Sequence, residues 1–182
     1  MKLVLEIPNK LYYIQNFLDN ATYKTLHNAI FKKDLPLVNT KNTWGKDLLH
    51  GFKGYTKKSE LNDNNALLQK LKIIIQNNPF HKIVNKQFNF VAHSMSDGAG
   101  INWHNDKDYD YGITYYLNRR WNFKYGGEFL FMDKGQYGFT PVIGNSLLIA
   151  KTPLYHKVVP VNKPLVPRKT IQMFIMKDNT ND

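Results

Sequence analysis

The chain has 182 residues, 42% of them hydrophobic and 14% aromatic, which suits a single domain with a substantial core. It contains no cysteine, so disulfide scaffolds, thiolate nucleophiles and zinc-thiolate sites are excluded, and any metal must be held by nitrogen and oxygen. The formal charge of +11 rests on 22 Lys and only three Arg, which describes a generally basic surface and makes nucleic acid the less favoured partner, since bidentate reading of phosphates and bases uses Arg.

The opening MKLVLEIPNK lacks the apolar run and small-residue cleavage site of a secretory signal, and no stretch approaches 18 apolar residues; a cytoplasmic protein without a membrane span is expected. Residues 11–18, LYYIQNFL, predict a short strand. It leads into a helix at about 20–32, where Asp19 or Asn20 caps the helically spaced apolar positions of TYKTLHNAIF. Residues 33–59 lose periodicity and read as a long ordered loop or lid with Trp44, Phe52 and Tyr55 set in it. A second helix, roughly 61–77, carries Leu67, Leu68, Leu71, Ile74 and Ile75 on one stripe, with Pro79 beyond its end.

From residue 86 the texture changes to short runs: QFNFVAH, YGITYYL, GEFLFM, NSLLIA, HKVVPV and TIQMFIM, separated by Gly, Pro, Asp and Asn. Many short strands with turns between them predict an antiparallel sandwich or jelly roll, with the two helices packed on one sheet. The expectation is one α+β, mainly β domain over 1–182, with a helical N-terminal part (1–85) and a β core (86–177).

Within that core, NWHND places His104 two residues before Asp106, and on a strand side chains at i and i+2 share a face. His156 opens HKVVPV about fifty residues later. Two His and one carboxylate on one side of an ion leave adjacent positions open, the arrangement of non-haem Fe(II) oxygenases. Arg168, twelve residues after His156, suits the distal carboxylate of a 2-oxoglutarate co-substrate, because guanidinium binds carboxylate bidentately and stays charged. Thr170 follows on the same strand face and offers a hydroxyl to the co-substrate.

The ordered segments GAGINWHND, ITYYLNRRWNFKYGGEFLF, GNSLLIAKTPLYHKVVPV and RKTIQMF resemble the Fe(II)- and 2-oxoglutarate-dependent oxygenases, in particular their prolyl 4-hydroxylase branch. The resemblance covers about residues 86–176 and implies a double-stranded β-helix core. It implies His104, Asp106 and His156 as catalytic iron ligands, with Arg168 and Tyr116 on the 5-carboxylate of 2-oxoglutarate. Val158 becomes an apolar wall and Phe174 an aromatic beside the co-substrate. It also implies Fe(II), 2-oxoglutarate and O2 as requirements, ascorbate as a stimulant, and a proline-containing protein or peptide as substrate. The same chemistry on a free amino acid or an alkylated nucleic acid base, and a catalytically silent jelly-roll binding module, remain alternatives. Two departures stand out: residues 94–103 lack the tyrosine that commonly precedes the first ligand, and Pro164 and Pro167 lengthen the turn between His156 and Arg168. By strand alternation Trp103 points away from the metal; Trp121 reads as a structural anchor, and Gly126 with Gly127 as a tight turn.

Overall fold

The computed structural model describes residues 1–31, 36–84 and 86–177. The expected helix end at 32, the first expected loop residues 33–35, residue 85 and the chain end 178–182 lie outside the described residues. In chain order the elements are β1 (Lys2–Ile7), β2 (Leu11–Gln15), α1 (Asn20–Phe31), β3 (Val38–Asn39), α2 (Lys46–Leu49), β4 (Thr56–Glu60), α3 (Ala66–Gln76) and β5 (Phe88–Met95). They continue with β6 (Ile101–His104), β7 (Tyr109–Tyr116), β8 (Phe129–Asp133), β9 (Gln136–Thr140), β10 (Ser146–Lys151), β11 (Tyr155–Val158) and β12 (Arg168–Met176). Antiparallel ladders build a larger sheet, β1-β2-β10-β7-β12-β5-β4-β3, and a smaller one, β6-β11-β8-β9, which face each other as a jelly roll.

Strand alternation divides the larger sheet. On β12, Ile171, Met173 and Ile175 are fully buried with Leu26 and Ile30 of α1 and Leu68, Leu71 and Ile75 of α3, so the helices cover this outer face. Each such side chain contributes about 1.5–3 kcal/mol by leaving water. Asp19 caps α1 by accepting from the Thr22 N–H at 2.8 Å, and Asn65 caps α3 by accepting from Leu67. The intervening residues Arg168, Gln172 and Phe174 face the other way, into the space between the sheets.

Two expectations need correction. Residues 33–59 are not simply a loop: β3 and β4 lie within them, and β4 pairs with β5 from Thr56↔Met95 to Glu60↔Val91. Its sequence, TKKSE, has no apolar alternation to announce a strand; its ladders with β5 and the short border strand β3 fix it. Nor is the N-terminal part chiefly helical, since β1 to β4 contribute half the strands of the larger sheet.

Candidate metal and co-substrate site

A cavity of about 420 Å³ opens between the sheets. His104, Asp106 and His156 stand on its wall with their ligand atoms all within 4.8 Å of one another. His104 Nε2 lies 3.6 Å and His156 Nε2 3.4 Å from the Asp106 carboxylate oxygens, and the two imidazoles are 4.1 Å apart at their centres. Each Nδ1 meets a backbone carbonyl, Asn102 O at 2.7 Å and Leu154 O at 2.8 Å. A carbonyl only accepts, so each Nδ1 donates and leaves Nε2 facing the carboxylate, able to ligate a metal once it carries no proton. Burial and the neighbouring His156 hold the His104 imidazole below its ordinary pKa. Burial alone would raise the Asp106 carboxyl, but the hydrogen bond and charge of His156, with His104 behind them, bring it below the usual range.

The local backbone reaches this arrangement differently from the simple strand reading. β6 ends at His104, and Asp106 sits beyond it at φ +47°. The ladder pairs His156 with His104 but Val158 with Ile101, so one extra residue on β6 forms a bulge. The bulge turns both Ile101 and His104 inward and Trp103 outward, where its ring lies 6.0 Å from Tyr137 and beneath Lys157. The left-handed turn then swings the Asp106 carboxylate back over β7. There Gly112 leaves room: a β-carbon at that position would lie 2.9 Å from Asp106 Oδ2.

Arg168 is 3% exposed and lines the cavity. Its guanidinium stands 5.2 Å from the Tyr116 ring centre, and Nη1 reaches only the weak acceptor Met95 Sδ at 3.2 Å. Arg168 Nε, the Tyr116 hydroxyl and the Thr170 hydroxyl are buried without a hydrogen-bond partner. Burial lowers the guanidinium and raises the Tyr116 phenol, with the Arg168 charge opposing the latter. Gly127, at φ +80°, exposes its bare α-carbon to the Arg168 stem: a β-carbon would lie 2.8 Å from Cδ. Of the residues expected on the co-substrate, Arg168, Val158 and Phe174 line the cavity, whereas Tyr116 and Thr170 are fully buried and do not line it. Phe174 pairs with Gly112 and packs on Tyr109 at 4.6 Å, which puts it at the metal end of β12 and away from Arg168. Trp121 donates to Gly126 O at 2.9 Å, the anchor its turn suggests.

Sequence reasoning missed His93. It lies on β5, 6% exposed, lining the cavity with its ring 5.5 Å from Trp44. The run QFNFVAH carried a signal, since Phe88, Phe90 and Ala92 pack beneath the helices and so turn Val91 and His93 inward. Burial, reinforced by the Arg168 and Lys58 charges, pushes its imidazole down to about 3. A folded pKa below the unfolded value means that only the unfolded chain takes up this proton between pH 6.5 and 3, so stability falls as pH drops through that window. The free energy of unfolding should therefore fall by about 1 kcal/mol from pH 7 to 5.5 through this group alone. Urea titrations of wild type and His93→Leu check it; parallel pH profiles would refute it.

The donor set suits Fe(II): two imidazoles and a carboxylate, no thiolate, and an open cavity on the remaining side. The guanidinium, with Nε unbonded and no ion-pair partner among the described residues, suits a carboxylate at the other end. Residues 89–176 match the model of the 2OG-Fe(II) oxygenase superfamily. A prolyl-4-hydroxylase of Pseudomonas putida shares the fold at TM-score 0.71 and 14% identity, over 94% of this chain and 95% of that one. A Trichoplax adhaerens prolyl hydroxylase, solved in complex with a hypoxia inducible factor oxygen degradation domain peptide fragment, does so at TM-score 0.65 and 15% identity, over 93% and 84%. An oxidoreductase of the 2OG-Fe(II) oxygenase family from Burkholderia pseudomallei follows at 0.62 and 12%, over 94% and 86%. Among curated proteins none matches the sequence.

Proposed function

We propose that the chain, whose residues 89–176 match the 2OG-Fe(II) oxygenase superfamily, is an Fe(II)- and 2-oxoglutarate-dependent dioxygenase that 4-hydroxylates a prolyl residue in a protein or peptide. The observation that carries the chemistry is one cavity lined by a three-donor cluster and by a buried guanidinium that has no ion-pair partner among the described residues. When bound, iron and 2-oxoglutarate supply the oxidising chemistry: O2 is consumed, 2-oxoglutarate leaves as succinate and CO2, and one oxygen atom enters the substrate C–H bond.

His104, Asp106 and His156 hold the metal, and the Asn102 and Leu154 carbonyls keep the imidazoles in the ligating tautomer. Arg168 binds the distal carboxylate of 2-oxoglutarate, with Tyr116 and Thr170 packed beneath it. Val158, Ile101 and Phe129 keep water from the wall between them. The prolyl reading draws support from Tyr109, Phe174 and Trp44, which line the cavity and offer aromatic surface to a pyrrolidine ring, and from the fold shared with a prolyl hydroxylase solved with a peptide.

The test is succinate formation by purified protein with Fe(II), ascorbate and 2-oxoglutarate, with and without proline-rich peptides. Succinate that rises with peptide, together with a one-oxygen mass gain on proline, is expected. Succinate indifferent to peptides would move the substrate to free amino acids or alkylated nucleic acid bases. No turnover and no retained iron would leave a binding module.

A further inference from the structure

We infer that His93 shares with Arg168 the grip on the distal carboxylate of the co-substrate, a role that the sequence pattern offered to Thr170. The inference rests on the oxygenase reading and deepens it. The larger sheet sets its inward residues in rows. Thr56, Met95 and Arg168 form one row, and Lys58, His93, Thr170 and Tyr116 the next. Glu60, Val91, Gln172 and Thr114 come after these, followed by Asn89, Phe174 and Gly112, over which the Asp106 carboxylate stands. His93 is thus directly beside Thr170, diagonal to Arg168 and two rows from Gly112, on the path from the guanidinium to the metal cluster.

Its neighbours sharpen the assignment. Tyr116 and Thr170 do not line the cavity. Lys58 does, but it pairs with Glu60 at 3.3 Å. His93 lines the cavity, is more than nine-tenths buried, and among the described residues has no hydrogen-bond partner and a ring contact only with Trp44, at a steep angle and 5.5 Å. An imidazole that opens on a cavity with no protein partner for its nitrogens is free to meet a ligand there. As a neutral ring it carries one N–H, which can donate to a carboxylate oxygen that Arg168 leaves free.

The experiment measures ligand affinity without turnover, using protein loaded with Mn(II) and water-proton relaxation to follow displacement of metal-bound water. Probes are 2-oxoglutarate and pyruvate, a 2-oxo acid with no distal carboxylate. His93→Leu is expected to weaken 2-oxoglutarate about tenfold, the size of one hydrogen bond to a charged group, while leaving pyruvate and Mn(II) affinity unchanged. His93→Gln, which keeps an N–H donor, should recover most of the loss. Unchanged 2-oxoglutarate affinity in His93→Leu would overturn the inference. An equal loss for pyruvate would also overturn it, because the histidine would then act at the metal end or on the fold; a thermal melt and the glutamine variant separate those two. Wild type that binds Mn(II) but not 2-oxoglutarate would overturn the oxygenase reading and this inference together.

Discussion

His156→Ala is expected to lower succinate formation to background and to leave less than about a tenth of the wild-type iron on the protein, because two donors cannot hold a labile divalent ion that three barely enclose. His156 is the more demanding of the two imidazole tests. It is 6% exposed, its ring stacks on Phe129 at 4.8 Å, and its Nε2 is the imidazole nitrogen nearer Asp106. Its removal leaves a cavity in the small-sheet core, worth about 2–4 kcal/mol of stability, so lost activity alone would prove little. His104→Ala supplies the control: the side chain is more exposed, and its loss should abolish iron retention with a smaller drop in melting temperature. Metal content after desalting, read beside a thermal melt, is the deciding measurement. A folded His104→Ala protein that retains iron and turns over would remove the cluster from the mechanism.

What the sequence made legible follows the strength of its local patterns. The runs after residue 86 alternate because one face of the larger sheet meets α1 and α3, and that same alternation sends Arg168 to the cavity. α3 was legible because its stripe of Leu68, Leu71 and Ile75 is wholly buried. β4 was illegible because Thr56 and Ser59 take the buried positions that apolar residues usually announce. The His104 and Asp106 pair was found by a spacing argument whose geometry proved different: a bulge in β6 and a left-handed residue after it, not strand alternation, bring the two groups together. Bulges and positive φ at a non-glycine residue arise from tertiary context, and HxD carries no mark of them. His93 needed the cross-strand register as well as its own strand, since only the register sets it beside Thr170.

Arg168→Met is expected to weaken 2-oxoglutarate by a factor of about 100 to 1,000, while the metal-free protein becomes no less stable than wild type. The affinity loss follows from removing a bidentate, charge-assisted contact in a site that admits little water. Stability moves the opposite way from most core substitutions. Arg168 is buried with no carboxylate within ion-pair distance among the described residues, its Nε lacks a partner, and Nη1 reaches a thioether. Such a charge is retained at a cost of several kcal/mol, and methionine keeps the stem that packs on Gly127 while discarding that cost. Arg168→Lys should recover only part of the affinity, because an ammonium offers a point charge where the guanidinium offers a fork. Urea unfolding without metal, set beside 2-oxoglutarate titration of Mn(II)-loaded protein, reads both quantities on the same variants. A large loss of stability with affinity intact would make Arg168 a structural charge; unchanged or raised stability with affinity lost would make it the group whose buried charge the fold tolerates for the ligand.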